Sequence, residues 1–156
     1  IGEQIKQLSK EGKLTPELKT YLFAADRRLL LDGLGQVNKD DIVIFDRYVP
    51  SAIAYRMADG VDKDWVKSVN KNFPRHDLGF YIDITPETSI ERNTDQKFNI
   101  LYSYEHLDRV RKAYMSILDE YSLQKIDGNN SIDNIFKQIA TRINHRLSER
   151  EEEMER

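Results

Sequence analysis

Four consecutive apolar residues, Ile42-Val43-Ile44-Phe45, run directly into an acid and a guanidinium, Asp46-Arg47. The run is short, largely β-branched and does not alternate, the pattern of a strand buried on both faces of a parallel sheet. In open α/β sheets, ligands bind just outside the carboxyl ends of the strands. An acid and a guanidinium at such a point are placed for chemistry; the plainer reading is a surface ion pair at a strand end. Pro50 and Ser51 then lead into a short amphipathic segment that ends at Tyr55-Arg56.

The rest of the chain alternates helical and extended patterns. Helical spacing predicts a short helix from Gly2 to about Lys10, stopped near Gly12. Thr15-Pro16-Glu17 is a helix start, with an N-cap, a proline at the first position and an early acid. The helix should run to about Leu34, with Leu18, Leu22, Ala25 and Leu29 facing inward. Beside that stripe Lys19, Phe23 and Arg27 recur every four residues, so one edge presents cation, ring, cation. Asp62 or Asp64 caps a helix that Pro74 breaks. Leu78 to Ile84 reads as a second strand, and Thr85-Pro86-Glu87 starts a helix to about Arg92. Asn93 to Asn99 is polar and irregular, a candidate mobile loop. A long helix is predicted from Ser103 to Tyr121, a short strand over Leu123–Ile126, and a last helix after Ser131. Strands alternating with helices imply an α/β parallel sheet, although three strands are few for one.

Composition narrows the function. The chain's 156 residues suffice for one domain with a core, here expected over 1–147, with residues 148–156 as a charged tail. A formal net charge of -3 gives no global pull toward nucleic acid or anionic membranes, so any anion site must be local. There is no cysteine, which excludes disulfides, thiolate metal sites and cysteine nucleophiles. No apolar run approaches the ~20 residues of a membrane span, and no signal peptide is visible. A cytoplasmic enzyme or binding domain is expected.

Asp46-Arg47-Tyr48, then Ser51, then Ala54-Tyr55, resembles the DRY-x-x-S-x-x-AY signature of thymidylate kinases, P-loop enzymes that phosphorylate dTMP from ATP. Phe23-Ala24-Ala25-Asp26-Arg27 is similar to the family's FAADR segment. The resemblance implies a P-loop NTPase-like parallel sheet with flanking helices, with Mg2+ accompanying ATP. It also implies dTMP and ATP as partners, and a homodimer, since thymidylate kinases are commonly dimers. It implies that Phe23 stacks on the thymine and that Arg27 contacts base or phosphate. Arg47 would hold the acceptor phosphate, which a guanidinium matches bidentately. Asp46 would lie near the reacting phosphates and the magnesium shell. Ser51 would contact the nucleotide, and Tyr55 would pack against the sugar and disfavour a 2′-hydroxyl.

Three features depart from the family pattern. Arg56 stands where Gln is usual, adding a cation near the acceptor site. Gln96-Lys97-Phe98-Asn99 is similar to the family's Asp-Arg-Phe-Glu with the charges changed, leaving Arg92 and Lys97 as the candidate lid cations. No G-x-x-x-x-G-K-[S/T] occurs. The resemblance puts the P-loop and its strands upstream of Ile1, so the fold is expected to be incomplete and this chain alone incompetent in transfer. The strand feeding the P-loop would lie between Ile42–Phe45 and Leu78–Ile84. Two strands, Leu78–Ile84 and Leu123–Ile126, should therefore pair, while Ile42–Phe45 is estranged or closes directly onto Leu78–Ile84. A deoxynucleoside kinase of the same class and a non-catalytic nucleotide-binding domain that truly lacks the P-loop are the alternatives.

Overall fold

Short polar side chains set where the helices begin. In the computed structural model, which describes residues 1–38, 40–93 and 103–154, the hydroxyl of Thr15 accepts from the Leu18 amide at 3.2 Å. Thr85 accepts from Thr88 at 3.3 Å and Ser103 from His106 at 3.3 Å. Asp62, and not Asp64, accepts from the Trp65 amide at 2.8 Å. Each bond satisfies an amide that the helix itself leaves open. Pro16 and Pro86 follow their caps, where a missing N–H costs nothing.

The chain divides into two compact units, Ile1–Pro74 and Arg75–Arg156. In its described residues the first is helical: α1 (Gly2–Lys10), α2 (Pro16–Gly33), α3 (Val49–Ala58) and α4 (Lys63–Asn70). Its core is built on α3 and α4, where Ile53, Ala54 and Val66 are fully buried. The inward face of α2 differs from the apolar stripe expected. Thr20 and Ala24 are buried, Leu18 and Leu22 are half-buried, and Ala25 and Leu29 are exposed. Thr20 can face inward because its hydroxyl donates to the Pro16 carbonyl at 2.9 Å, satisfying itself within the helix.

The run Ile42–Phe45 is not the predicted buried strand. It joins no ladder among the described residues, and Ile42 and Ile44 are 62% and 85% exposed. β-propensity expresses packing against neighbouring strands. Without a partner the run stays open, with Ile42, Val43 and Ile44 exposed.

The second unit contains β1 (Gly79–Asp83), α5 (Pro86–Arg92), α6 (Tyr104–Met115), β2 (Leu123–Asp127) and α7 (Ile132–Met154). The two predicted strands do pair. β1 and β2 are parallel, in register from Gly79 opposite Leu123 to Asp83 opposite Asp127. Parallel neighbours need a crossover, and the segment carrying α5 and α6 supplies it. Ile117 and Ile126 are fully buried beneath it, with Val110 and Ala113. Just past β2 the Gly128 amide donates to the Asp83 carbonyl at 2.8 Å. A β-carbon there would press into the Ile82 and Ile84 methyl groups and lie 3.0 Å from that carbonyl oxygen, so only glycine closes this end of the sheet.

Helix α6 stops at Met115, six residues short of the predicted end. Tight turns follow, and Ser122 takes a left-handed φ of 51° while the Leu123 amide donates to the Leu118 carbonyl at 2.9 Å. That closure turns the chain into β2 and is usually made by glycine. Helix α7 continues through the charged run, which is a helix end as far as Met154. Among the described residues, no helix is long and apolar enough to cross a membrane.

Candidate functional site

In the first unit, the turn into α3 carries a strained residue. Arg47 has φ 67°, in the left-handed region that a non-glycine residue occupies at a cost of roughly 1–2 kcal/mol. Its side chain is organised by α3. The Arg47 Nε donates to the Ser51 hydroxyl at 2.8 Å, and the guanidinium carbon lies 4.3 Å from the centre of the Tyr55 ring. Ser51 and Tyr55 are one turn apart and so share a face of α3. Ser51 is buried, Tyr55 half-buried and Arg47 exposed. No carboxylate pairs with Arg47 among the described residues. The bond uses Nε and leaves the two terminal amino groups, the fork that matches a phosphate. Asp46, exposed beside it, supplies a carboxylate at the same turn.

A second arginine lies nearby. Arg27 of α2 has its guanidinium 5.5 Å from the Tyr48 ring centre and 5.0 Å from that of Phe73. Its Nη1 donates to the Asn70 Oδ1 at 2.7 Å. Burial lowers its pKa from the usual value, with Tyr48 and Asp26 acting the other way; a guanidinium still keeps its charge. Tyr48 in turn packs on Phe45, ring centres 4.7 Å apart. Phe23, one turn before Arg27, is 42% exposed and therefore not a core residue. Arg56 is in a different setting. It is buried and its Nη2 lies 3.0 Å from the Asp59 carboxylate, so the extra cation is spent on an internal ion pair.

In the second unit, Arg92 donates from Nη1 to the Gly128 carbonyl at 2.7 Å and from Nη2 to that of Asn129 at 3.3 Å. Lys97 and most of the candidate mobile loop, residues 94–99, lie outside the described residues. Asp83, at the carboxyl end of β1, is gripped by Arg111, Nε to Oδ1 at 2.6 Å and Nη2 to Oδ2 at 2.9 Å. Lys125 approaches the same carboxylate at 3.5 Å and the Tyr81 hydroxyl donates to it at 3.2 Å. The Arg111 bonds hold the Asp83 carboxyl below its usual range, outweighing burial. The same carboxylate pushes Arg111 up, and burial pushes the Tyr81 hydroxyl up.

A family model described as thymidylate kinase matches residues 1–139. The chain belongs to the thymidylate kinase family. It is 35% identical over 143 residues to a probable thymidylate kinase 1 of Saccharolobus solfataricus, covering 92% of this chain and 76% of the relative. A probable thymidylate kinase of Sulfolobus acidocaldarius is 35% identical over 139 residues, 87% of this chain and 71% of that protein. A thymidylate kinase of Acholeplasma laidlawii is 32% identical over 163 residues, 94% of this chain and 80% of that one.

Within this member of the family, the structure groups Arg47, Ser51 and Tyr55 directly, and sets Arg27 against Tyr48, the residue after Arg47. Sequence reading missed Asn70, Phe73, Arg111 and Asp83. Asp83 carries the signal that singled out Asp46, an acid at the end of an apolar run; the others are distant in sequence from what they touch. No group of three or more His, Asp or Glu that could cage a metal ion occurs among the described residues. Mg2+ entering with ATP needs no such cage, because phosphates and water fill its shell beside one or two carboxylates. The exposed carboxylate of Asp46 fits that requirement.

Proposed function

We propose that this chain carries the acceptor site of a dTMP kinase. An oxygen of the dTMP phosphate attacks the γ-phosphorus of ATP, the bond to the β–γ bridging oxygen breaks, and dTDP and ADP result. The observation that supports this best is the Arg47 fork, strained into place and held, among the described residues, by a hydroxyl and a ring. A cation held by neutral groups keeps its charge for an anion. Arg47 grips the acceptor phosphate, Ser51 fixes Arg47 and contacts the nucleotide, and Tyr55 backs the guanidinium and borders the sugar. Phe23 offers its exposed ring to the thymine and Arg27 donates to the base.

The nucleophile is already an ionised phosphate oxygen, so positioning and charge neutralisation dominate and no strong base is required. Mg2+, when bound with ATP, supplies neutralisation of the phosphate oxygens, and Asp46 is the residue that would face it. Arg92 reaches a transferring phosphate only by giving up the Gly128 and Asn129 carbonyls; Lys97 is the other cation assigned to that role. Arg56 contributes to the stability of α3 and not to the substrate.

Calorimetric titration tests the acceptor reading. The protein should bind dTMP and bind thymidine much more weakly, and Arg47→Ala should remove the difference. Equal binding of both ligands in the wild type would sink it. Phosphorylation of thymidine but not dTMP in a coupled assay would transfer the chain to the deoxynucleoside kinases.

A further inference from the structure

Arg27 is a half-buried cation with an unusual set of neighbours. Among the described residues its one hydrogen-bond partner is Asn70, and two aromatic rings, Tyr48 and Phe73, lie against it with their centres 5.5 and 5.0 Å away. Among the described residues no carboxylate forms an ion pair with it; Asp26, its neighbour in sequence, acts on it only through space. Asn70 is 4% exposed, and its other end is also committed, Nδ2 donating to the Val66 carbonyl at 2.8 Å. That second bond decides which way the carboxamide faces, because only then does the oxygen point at Arg27. The three residues come from separate places: Tyr48 from the turn into α3, Asn70 from the last turn of α4, and Phe73 from just beyond it.

An aspartate here would hold Arg27 more tightly but would cancel its charge. A carboxamide holds the guanidinium through one amino group and leaves the remaining donors and the whole positive charge. A guanidinium already fixed also spares the ordering cost that a free arginine would meet on binding a ligand. Phe23, the exposed ring one turn earlier on α2, places a stacking face on the same side of the helix.

We infer that Asn70 is a positioning residue for the acceptor base: with Tyr48 and Phe73 it fixes the Arg27 guanidinium in the orientation that reads the pyrimidine. The inference rests on the dTMP-acceptor reading above. It separates two ligand halves, because Asn70 acts on the base through Arg27 while Arg47 serves the phosphate.

The test is calorimetric titration of the protein and its variants with two probes, dTMP and deoxyribose 5-phosphate, which lacks the base. Thermal melting run in parallel reports the fold. Asn70→Ala should weaken dTMP about tenfold, as expected for loss of a hydrogen bond to a charged group, and leave deoxyribose 5-phosphate unchanged. Asn70→Asp, which holds the guanidinium but sets a carboxylate against its charge, should keep the fold and still leave dTMP binding weakened; wild-type affinity in that variant would overturn the inference. A folded Asn70→Ala protein that loses both probes equally, or neither, overturns the inference. If Arg27→Ala weakens dTMP while folded Asn70→Ala does not, the base reading stands and the inference falls. If Arg27→Ala itself leaves dTMP binding intact, the assignment of Arg27 to the base falls and the inference with it. Should Asn70→Ala fail to fold, Phe73→Leu removes one of the two rings against Arg27 and is judged by the same selective loss.

Discussion

The two units each centre a site on an arginine, and they treat it in opposite ways. In Arg75–Arg156, Arg111 is saturated by a carboxylate that it grips with two nitrogens, and Lys125 and Tyr81 close on the same acid. In Ile1–Pro74, Arg47 and Arg27 are held by a hydroxyl, a carboxamide and three aromatic rings. All three guanidinia are charged, but only that of Arg111 already faces a carboxylate that balances it. An arginine matched to an acid braces the fold, and one matched to neutral groups is kept for something not yet there.

The sharpest test of that contrast is Arg47→Ala in the active enzyme. It should lower kcat/KM for dTMP by roughly 30- to 1000-fold, about 2–4 kcal/mol, with an unchanged melting curve. A folded variant of normal activity would erase the distinction. Arg111→Ala should do the reverse. Breaking a buried pair costs about 3–5 kcal/mol, and the 37% exposure of the Arg111 side chain argues for about 2–3 kcal/mol. Denaturant unfolding should report that loss while dTMP affinity holds. Phe23→Ala comes next, weakening dTMP by about 1–3 kcal/mol with no matching loss for ATP. Equal losses for both ligands would place Phe23 in the packing.

The smallest effect is in the acid limb of stability. Asp83 is held below its ordinary value of 3.8 by Arg111. Its contribution is therefore present above that value and is lost as pH falls through the lower folded value. Melts between pH 6 and pH 2 should show a decline below about pH 4 that is shallower in Arg111→Ala. An identical decline in both proteins would mean that the pair is not what acid undoes.

How much of this was legible in the sequence depends on distance along the chain. Thr15-Pro16, Thr85-Pro86 and Ser103 announce their helices because a cap and its amide lie three residues apart. Arg47, Ser51 and Tyr55 were legible for the same reason, with spacings of four. Asn70 lies 43 residues from Arg27 and Arg111 lies 28 from Asp83, and nothing local marks either. The inward stripe of α2 was misread because Thr20, which satisfies its own hydroxyl inside the helix, can face the core, and nothing local announces the turn at Ser122, where a serine does the work of a glycine. Ile42–Phe45 stands apart from the ladder as the resemblance implied, and only its reading as a buried strand failed, for a deeper reason. A strand is a property of a ladder, and an apolar run without a neighbour has only the composition of one.

The left-handed backbone at Arg47 has a consequence for how such a protein ages under selection. At that φ, glycine would relieve the strain and every other residue would inherit it. A population screened for thermal survival alone should drift toward Arg47→Gly, gaining about 1 kcal/mol and discarding the fork. Persistence of arginine there is then a running record of demand for the ligand, since the fold on its own has reason to let it go.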